Sequence, residues 1–396
     1  MSIIAKTSIV VRKPVIKIVE KPTPCTYIGS GKVKKVGEIL SNLEIKKALV
    51  VTDNFLFKSG LVNSMLKSMD EYKIPYVIFD GVLPDPTFAI VSQAQKMSVG
   101  CDAVVAIGGG SVIDAAKAVS AAIANNTSAE KLAGLLKVHK RPLPFIAIPT
   151  TSGTGSETTV AAVISDSNTH AKKQILDPKI VPMFAILDPE LTVGLPQHTT
   201  AFTTLDALTH ALEAYVSEYA DEQTDRMSRA AVHMIFENLP KVRKNPADID
   251  AREALLVASF LAGQAFTRTY VGYVHAFAHT IGGKFGVPHG LANAILLPHI
   301  MKYYFPVCHK RFAELAISAG ICDSSLPERE RAEKFINSLF ELNTKCDIPK
   351  RFEKFPESEI DDVIKMAFKE CHGTYPVPRY FSEEEAKKLM HKVCSK

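Results

Sequence analysis

Four histidines, His275, His279, His289 and His299, fall between Tyr273 and His299 in a stretch that is otherwise apolar and glycine-rich. Upstream, Asp206 and His210 stand four apart in TTLDALTHALEAY. One carboxylate and several imidazoles drawn from two separate segments is a common way to hold a transition metal. Such a metal, with a position left for a substrate oxygen, can polarise an alcohol or a carbonyl. The spacing of four puts Asp206 and His210 on one face of a helix and does the same for His275 and His279. His289 follows Pro288, beyond a turn expected at Gly282–Gly283. A lone histidine in an apolar helix is more often a core residue, and a lone Asp–His pair a surface contact. The concentration of imidazoles with a carboxylate partner favours the metal.

A second chemistry is written into DAVVAIGGGSVIDAAKAV (102–119), an apolar strand that runs into glycines at a helix start. Gly108, Gly109 and Gly110 allow a pyrophosphate to approach bare backbone N–H groups, aided by the helix dipole. Ser111 is expected to cap this helix, and Asp114 to support the cap or the neighbouring loop. The pattern is not GxGxxG. The candidate ribose-binding acid, Asp53 at the end of KKALVVTD, precedes the glycines instead of following them. Its carboxylate would accept from a 2′-hydroxyl and repel a 2′-phosphate, which favours NAD over NADP. A further loop, PTTSGTGSETT (149–159), offers small hydroxyl residues, Thr150, Thr151 and Thr154 among them, suited to wrapping a nucleotide. The structural alternatives are a plain strand-to-helix turn for the glycines, a turn residue for Asp53 and a surface loop for 149–159.

These groups need a frame. Short β-branched runs at 46–53, 76–80, 102–109, 144–150 and 183–189 read as buried parallel strands, and helix-length periodicity lies between them at 57–71, 87–98 and 111–124. That alternation implies a doubly wound α/β sheet. After Pro196 long helical stretches dominate and no strand alternation appears. The expected domains are therefore 1–196, dinucleotide-binding α/β with residues 1–21 as an extra strand or arm, and 197–396, an all-α metal-binding domain.

Bulk composition excludes other classes. The chain of 396 residues, 46% apolar and 22% charged, reads as a two-domain globular protein. Its net charge of +5 comes from scattered residues, without a nucleic-acid footprint. Seven widely spaced cysteines with no CxxC suggest reduced thiols and a cytoplasmic location. No apolar run approaches the length of a membrane span. The first twenty residues are broken by charges and Pro14 and do not read as a signal peptide.

In motif order over roughly 22–380, GGGSVID, PTTSGTGSE, DALTHALEAY and HAFAHTIGGKFGVPHGLANAILLPH resemble the iron-dependent (group III) alcohol dehydrogenases. The resemblance implies a dehydroquinate synthase-like architecture, an α/β dinucleotide-binding domain followed by a helical one. It implies Asp206, His210, His275 and His289 as metal ligands and His279 as a non-ligand active-site histidine. Gly109, Gly110 and Ser111 match the pyrophosphate loop, Thr150 and Thr151 the cofactor-facing threonines, and Asp53 the NAD-selecting acid. Asp85 in DGVLPDPT falls near the cofactor, and Lys172, beside Lys173, matches a lysine near the nicotinamide. The donor set suits Fe(II), with Zn or Co as alternatives. The implied activity is reversible hydride transfer between a primary alcohol, or its aldehyde, and NAD, in a homo-oligomer expected to be a dimer. The chain departs from its relatives at CHGTYPVPRYF (371–381), where many have a shorter Asn-Pro-Arg turn, and in its N-terminal extension. The alternatives are a zinc polyol or glycerol dehydrogenase, a dehydroquinate synthase-like lyase and a non-enzymatic cofactor-binding protein. The lyase would need clustered basic residues, yet only Arg268 and Lys284 are basic in the candidate pocket segments at 202–215 and 260–290.

Overall fold

A computed structural model describes residues 9, 10, 13, 21–166 and 172–395. The chain divides into two units, one spanning Glu20–Leu195 and one containing Pro196–Lys396. The first holds a six-stranded parallel sheet in the order β1-β9-β6-β4-β2-β3. Its strands are β1 (Cys25–Ile28), β2 (Ala48–Val51), β3 (Tyr76–Phe79), β4 (Ala103–Gly108), β6 (Phe145–Pro149) and β9 (Phe184–Leu187). β2, β4 and β6 are buried along their whole length, because helices cover both faces of the sheet. Their registers set Leu49 beside Val104 and Val105 beside Ile146. The chain runs outward from β2 to β3, returns to β4 on the other side of β2, and proceeds through β6 to β9. The switch point of this doubly wound sheet therefore lies between β2 and β4, where such folds bind ligands at the carboxyl ends of the strands. Asp53 follows β2 there, and the glycine turn follows β4.

A separate small sheet, β5-β8-β7, was not expected from the sequence. It contains β5 (Gly134–Leu135), β7 (Ala161–Ser165) and β8 (Lys172–Leu176), with β7 and β8 antiparallel. β4 leads directly into helix α1 (Gly110–Asn125).

The second unit has no strand among its described residues. Its helices are α2 (Gln197–Val216), α3 (Glu222–Lys244), α4 (Ile249–Thr269), α5 (Tyr273–Phe285), α6 (His289–Ser318), α7 (Glu328–Lys345), α8 (Ile360–Cys371) and α9 (Glu383–Val393). One continuous apolar core runs through them, and α2 is buried from Thr204 to Val216. A helix so enclosed has few places for polar side chains, and those it carries need partners.

Two expectations need correction here. The N-terminal segment was expected in the α/β domain as an extra strand or arm, but its described residues, Ile9, Val10 and Lys13, are helical and group with the helical unit. Ile9 is buried, and its carbonyl accepts a 2.7 Å hydrogen bond from Tyr219 Oη, so local β propensity yields to packing. The turn expected at Gly282–Gly283 is also absent. α5 runs through both glycines and ends at Gly286, whose φ of 67° supplies the left-handed residue that closes the helix. All seven cysteines are free, and no described helix is long and apolar enough to cross a membrane.

Candidate functional site

α2 sends Asp206 and His210 from one face, α5 contributes His275 and His279, and His289 is the first residue of α6. Asp206, His210 and His275 can each present a ligand atom within 4.8 Å of the other two, and all three are buried. His289 completes the group, with Nε2 3.4 Å from Asp206 Oδ1, while His275 Nε2 lies 3.6 Å from the same oxygen. The His210 ring stacks on Phe266 at 4.1 Å and on His275 at 4.5 Å.

The test of whether these donors fit a cation is what fills the point on which they converge. That point is taken by the side-chain amide of Asn293, one turn along α6 from His289. Its Nδ2 lies 2.6 Å from Asp206 Oδ1, 3.1 Å from His289 Nε2 and 3.3 Å from His275 Nε2. One carboxylate oxygen and two imidazole Nε2 atoms thus face one small volume, which is the requirement of a metal site. The electrostatics agree. Burial works against charge on Asp206, yet the His210 and His289 imidazoles outweigh it and hold the carboxyl well below its usual range. Burial likewise opposes charge on His275, but Glu213 and Asp206 drive it up to about 9. The site calls for positive charge, and its chemistry fits a divalent ion.

Glu213 was not singled out by the sequence reading. It lies three residues beyond His210 on the same helix and is 3% exposed. Its carboxylate accepts three hydrogen bonds of 2.7 Å, from His275 Nδ1 and from the N–H groups of Gly272 and Val274. It therefore sets the direction of the His275 ring and neutralises the positive end of α5. Gly272 has to be glycine for this approach, since a Cβ there would sit 2.8 Å from Glu213 Oε1. Glu213→Gln is expected to weaken metal affinity by about 10- to 100-fold, measured by competition with a chelator.

His279 stays out of the ligand group. Its ring stacks on His289 at 5.3 Å, and its Nδ1 lies 2.7 Å from Glu370 Oε1 on α8. Glu370 also accepts from Tyr375 Oη at 2.6 Å. Burial works against charge on Glu370, but these two bonds prevail and keep it ionised. The His279 and His289 side chains are 27% and 35% exposed, so the accessible flank of the centre is theirs.

In the α/β unit, β4 delivers Gly109 in an extended conformation and α1 begins at Gly110. The expected cap at Ser111 is therefore corrected. Gly109 is the N-cap, no side chain caps the helix, and Ser111 sits inside the first turn. The N–H groups of Gly110 and Ser111 then face outward without intrahelical partners, which suits an anion better than a capped end would. A Cβ on Gly110 would lie 2.6 Å from Thr154 Cγ2, and one on Gly109 would lie 3.5 Å from Thr151 Cγ2. The two loops are thus in contact. Thr150 is buried at the end of β6 and donates its N–H to Gly108 at 3.1 Å.

The other expected cofactor residues have local roles. Asp53 caps the short helix Asn54–Lys58 through Oδ1, 2.9 Å from Leu56 N. Asp85, in the left-handed region at φ 52°, pairs with Lys172 at 2.7 Å, so two residues expected near the cofactor hold each other, with side chains 70% and 38% exposed. Asp114 supports the neighbouring loop, as one of the two expected roles had it, since its carboxylate accepts from Ser156 Oγ and Val163 N.

Comparison with known proteins gives a consistent result. Residues 23–189 match the family model described as iron-containing alcohol dehydrogenase, and residues 200–394 match that of the Fe-containing alcohol dehydrogenase family, C-terminal. The chain is 39% identical to the NAD-dependent methanol dehydrogenase of Bacillus methanolicus over 358 residues, covering 89% of this chain and 94% of that one. It is also 39% identical to the probable alcohol dehydrogenase EutG of Escherichia coli, covering 83% and 82%. A solved 1,3-propanediol oxidoreductase superposes with a TM-score of 0.90 at 34% identity, over 94% of this chain and 99% of that one.

Proposed function

The chain belongs to the iron-containing alcohol dehydrogenase family, and from that premise we propose that it interconverts a primary alcohol and its aldehyde with NAD, using Fe(II) bound by Asp206, His210, His275 and His289. The observation that carries this reading is the convergence of Asp206, His275 and His289 on the Asn293 amide, with His210 packed against His275. When bound, iron supplies a Lewis acid that acidifies a hydroxyl, and NAD supplies the hydride acceptor.

The chain's own residues do the rest. Phe266, stacked on His210, keeps water from that side of the centre. Glu213 holds His275 in the tautomer whose Nε2 faces the shared point. Glu370 occupies Nδ1 of His279, leaving Nε2 to take the hydroxyl proton and release it on the exposed flank. In the α/β unit the N–H groups of Gly110 and Ser111 would receive the pyrophosphate, with Thr150, Thr151 and Thr154 alongside and Asp53 toward the ribose. The lyase reading is weakened at one of its two cations. Lys284, one of the two basic candidates, is paired with Glu359 at 2.5 Å and Asp362 at 2.6 Å.

The test is a panel of short primary alcohols, polyols and aldehydes at fixed NAD or NADH, after loading with ferrous iron, zinc or cobalt. Net NADH formation from primary alcohols with the ferrous form supports the proposal. Activity confined to the zinc form and to polyols moves the chain to the polyol alternative. Glu370→Ala is expected to lower kcat by at least about tenfold with metal content unchanged, because His279 loses the partner that orients it.

A further inference from the structure

Helix α1 carries a buried lysine and a partly buried aspartate that neither the glycine turn nor the metal centre uses. Lys117 is 1% exposed, and its ammonium is fixed by three oxygens, Thr159 O and Thr159 Oγ1 at 2.9 Å and Ala161 O at 2.8 Å. One turn nearer the start of α1, Asp114 accepts from Ser156 Oγ at 2.5 Å and from Val163 N at 2.9 Å. All five bonds end on residues 156–163, the segment that leaves the hydroxyl loop. The loop returns to the helix as well. Ser156 N donates to Thr154 Oγ1 at 3.2 Å, and Thr154 is the residue that abuts Gly110 at the first turn of α1. The contacts close a ring that runs from Gly110 to Thr154, Ser156, Asp114 and back along the helix to Gly110.

Space filling does not explain this arrangement. Burial drags the Lys117 ammonium down to about 8 even with Asp114 and Glu157 nearby, and it raises the carboxyl of Asp114 against Lys117 and its two bonds. An apolar residue of similar length at 117 would avoid that cost. What the charges add is direction, because each fixes particular groups of the segment 156–163 at hydrogen-bond distance.

We propose that Lys117 and Asp114 are positioning residues for dinucleotide binding, gripping residues 156–163 from the buried face of α1 so that Thr151 and Thr154 stand ready beside the bare N–H groups of Gly110 and Ser111. The inference rests on the reading of these two loops as the NAD site. It assigns the loop's shape to the protein before any ligand arrives, so that ordering the loop does not subtract from affinity.

The test measures NADH binding by the ligand's own fluorescence, together with steady-state kinetics, for the wild type, Lys117→Met, Asp114→Asn and Gly110→Val. The expected result is an NADH Kd and a KM for NAD raised about tenfold in Lys117→Met and several-fold in Asp114→Asn. In both variants kcat should fall by less than about twofold and KM for the alcohol should not move, a split that general loss of structure does not produce. Hydrogen exchange should quicken at 156–163 and leave β4 and β6 protected. If exchange in Lys117→Met quickens throughout the sheet, that variant has lost its fold and Asp114→Asn decides by the same readouts. Wild-type affinity in Asp114→Asn, or in a folded Lys117→Met, overturns the inference while weak binding by Gly110→Val leaves the NAD site standing. If Gly110→Val itself binds NADH like the wild type, the reading of the site falls and the inference falls with it.

Discussion

Replacing His275 by alanine is expected to strip the protein of its metal and to reduce alcohol oxidation by on the order of a thousandfold, equivalent to about 4 kcal/mol of lost transition-state stabilisation. His275 has the most constrained surroundings of the four imidazoles. It is 2% exposed, its Nδ1 is bound by Glu213 at 2.7 Å, and its Nε2 faces the point shared with Asp206 and His289. Alanine there removes a ligand and leaves two buried carboxylates, Asp206 and Glu213, without the imidazole between them. Breaking such a group costs roughly 3–5 kcal/mol of stability, so the variant's thermal transition must be followed beside its iron content. The companion variant separates ligand from proton carrier. His279→Ala should keep its iron and lose about a hundredfold in kcat, because its ring is stacked on His289 outside the ligand group. Stoichiometric iron in folded His275→Ala, or loss of iron in His279→Ala, would reverse the roles assigned here.

The second large effect is expected in the α/β unit. Gly110→Val places a Cβ 2.6 Å from Thr154 Cγ2 and 2.7 Å from Thr154 Oγ1, with two further methyl groups beyond it. Overpacking of this kind costs about 1–3 kcal/mol. The easiest relief is outward movement of the hydroxyl loop, away from the N–H groups at the start of α1. If that strain falls on the bound state, affinity for NADH drops about ten- to hundredfold while the metal content stays at the wild-type level. Thr154→Ser removes the closest atom, Cγ2, and should restore part of the affinity in the double variant. A cycle of the two substitutions measures their coupling directly. Equal loss in the single and double variants would show that the glycine is needed for a reason other than this contact.

Much of this arrangement was legible in the sequence, and the rest follows a pattern. The strands with unbroken β-branched runs, β2, β4, β6 and β9, stood out because a strand buried on both faces has no polar residues to interrupt it. β1, β5, β7 and β8 did not, being short, partly exposed or rich in lysine. The Asp206/His210 and His275/His279 pairs announced themselves by helical spacing, which is a local property. Their supports did not, since Glu213 meets His275 from 62 residues away and Glu370 meets His279 from 91. A local signal for Glu213 did exist. It is a lone carboxylate in the apolar run ALEAYV, on the face that Asp206 and His210 share, and such a residue needs a buried partner. Ser111 misled because serine beside a helix start usually caps it, whereas here the helix begins one residue earlier, at Gly110. Asp85 and Lys172 read separately as cofactor residues, and nothing in the sequence showed that they would pair with each other.

Iron-edge X-ray absorption on the ferrous-loaded protein reads out whether Asp206, His210, His275 and His289 hold the metal. The expected spectrum shows a shell of nitrogen and oxygen neighbours only, with the multiple scattering of bound imidazoles, and it changes on His289→Ala while staying as it is on His279→Ala. Sulfur scattering from any of the seven cysteines, or a spectrum indifferent to His289→Ala, would place the metal elsewhere and rule out this ligand set.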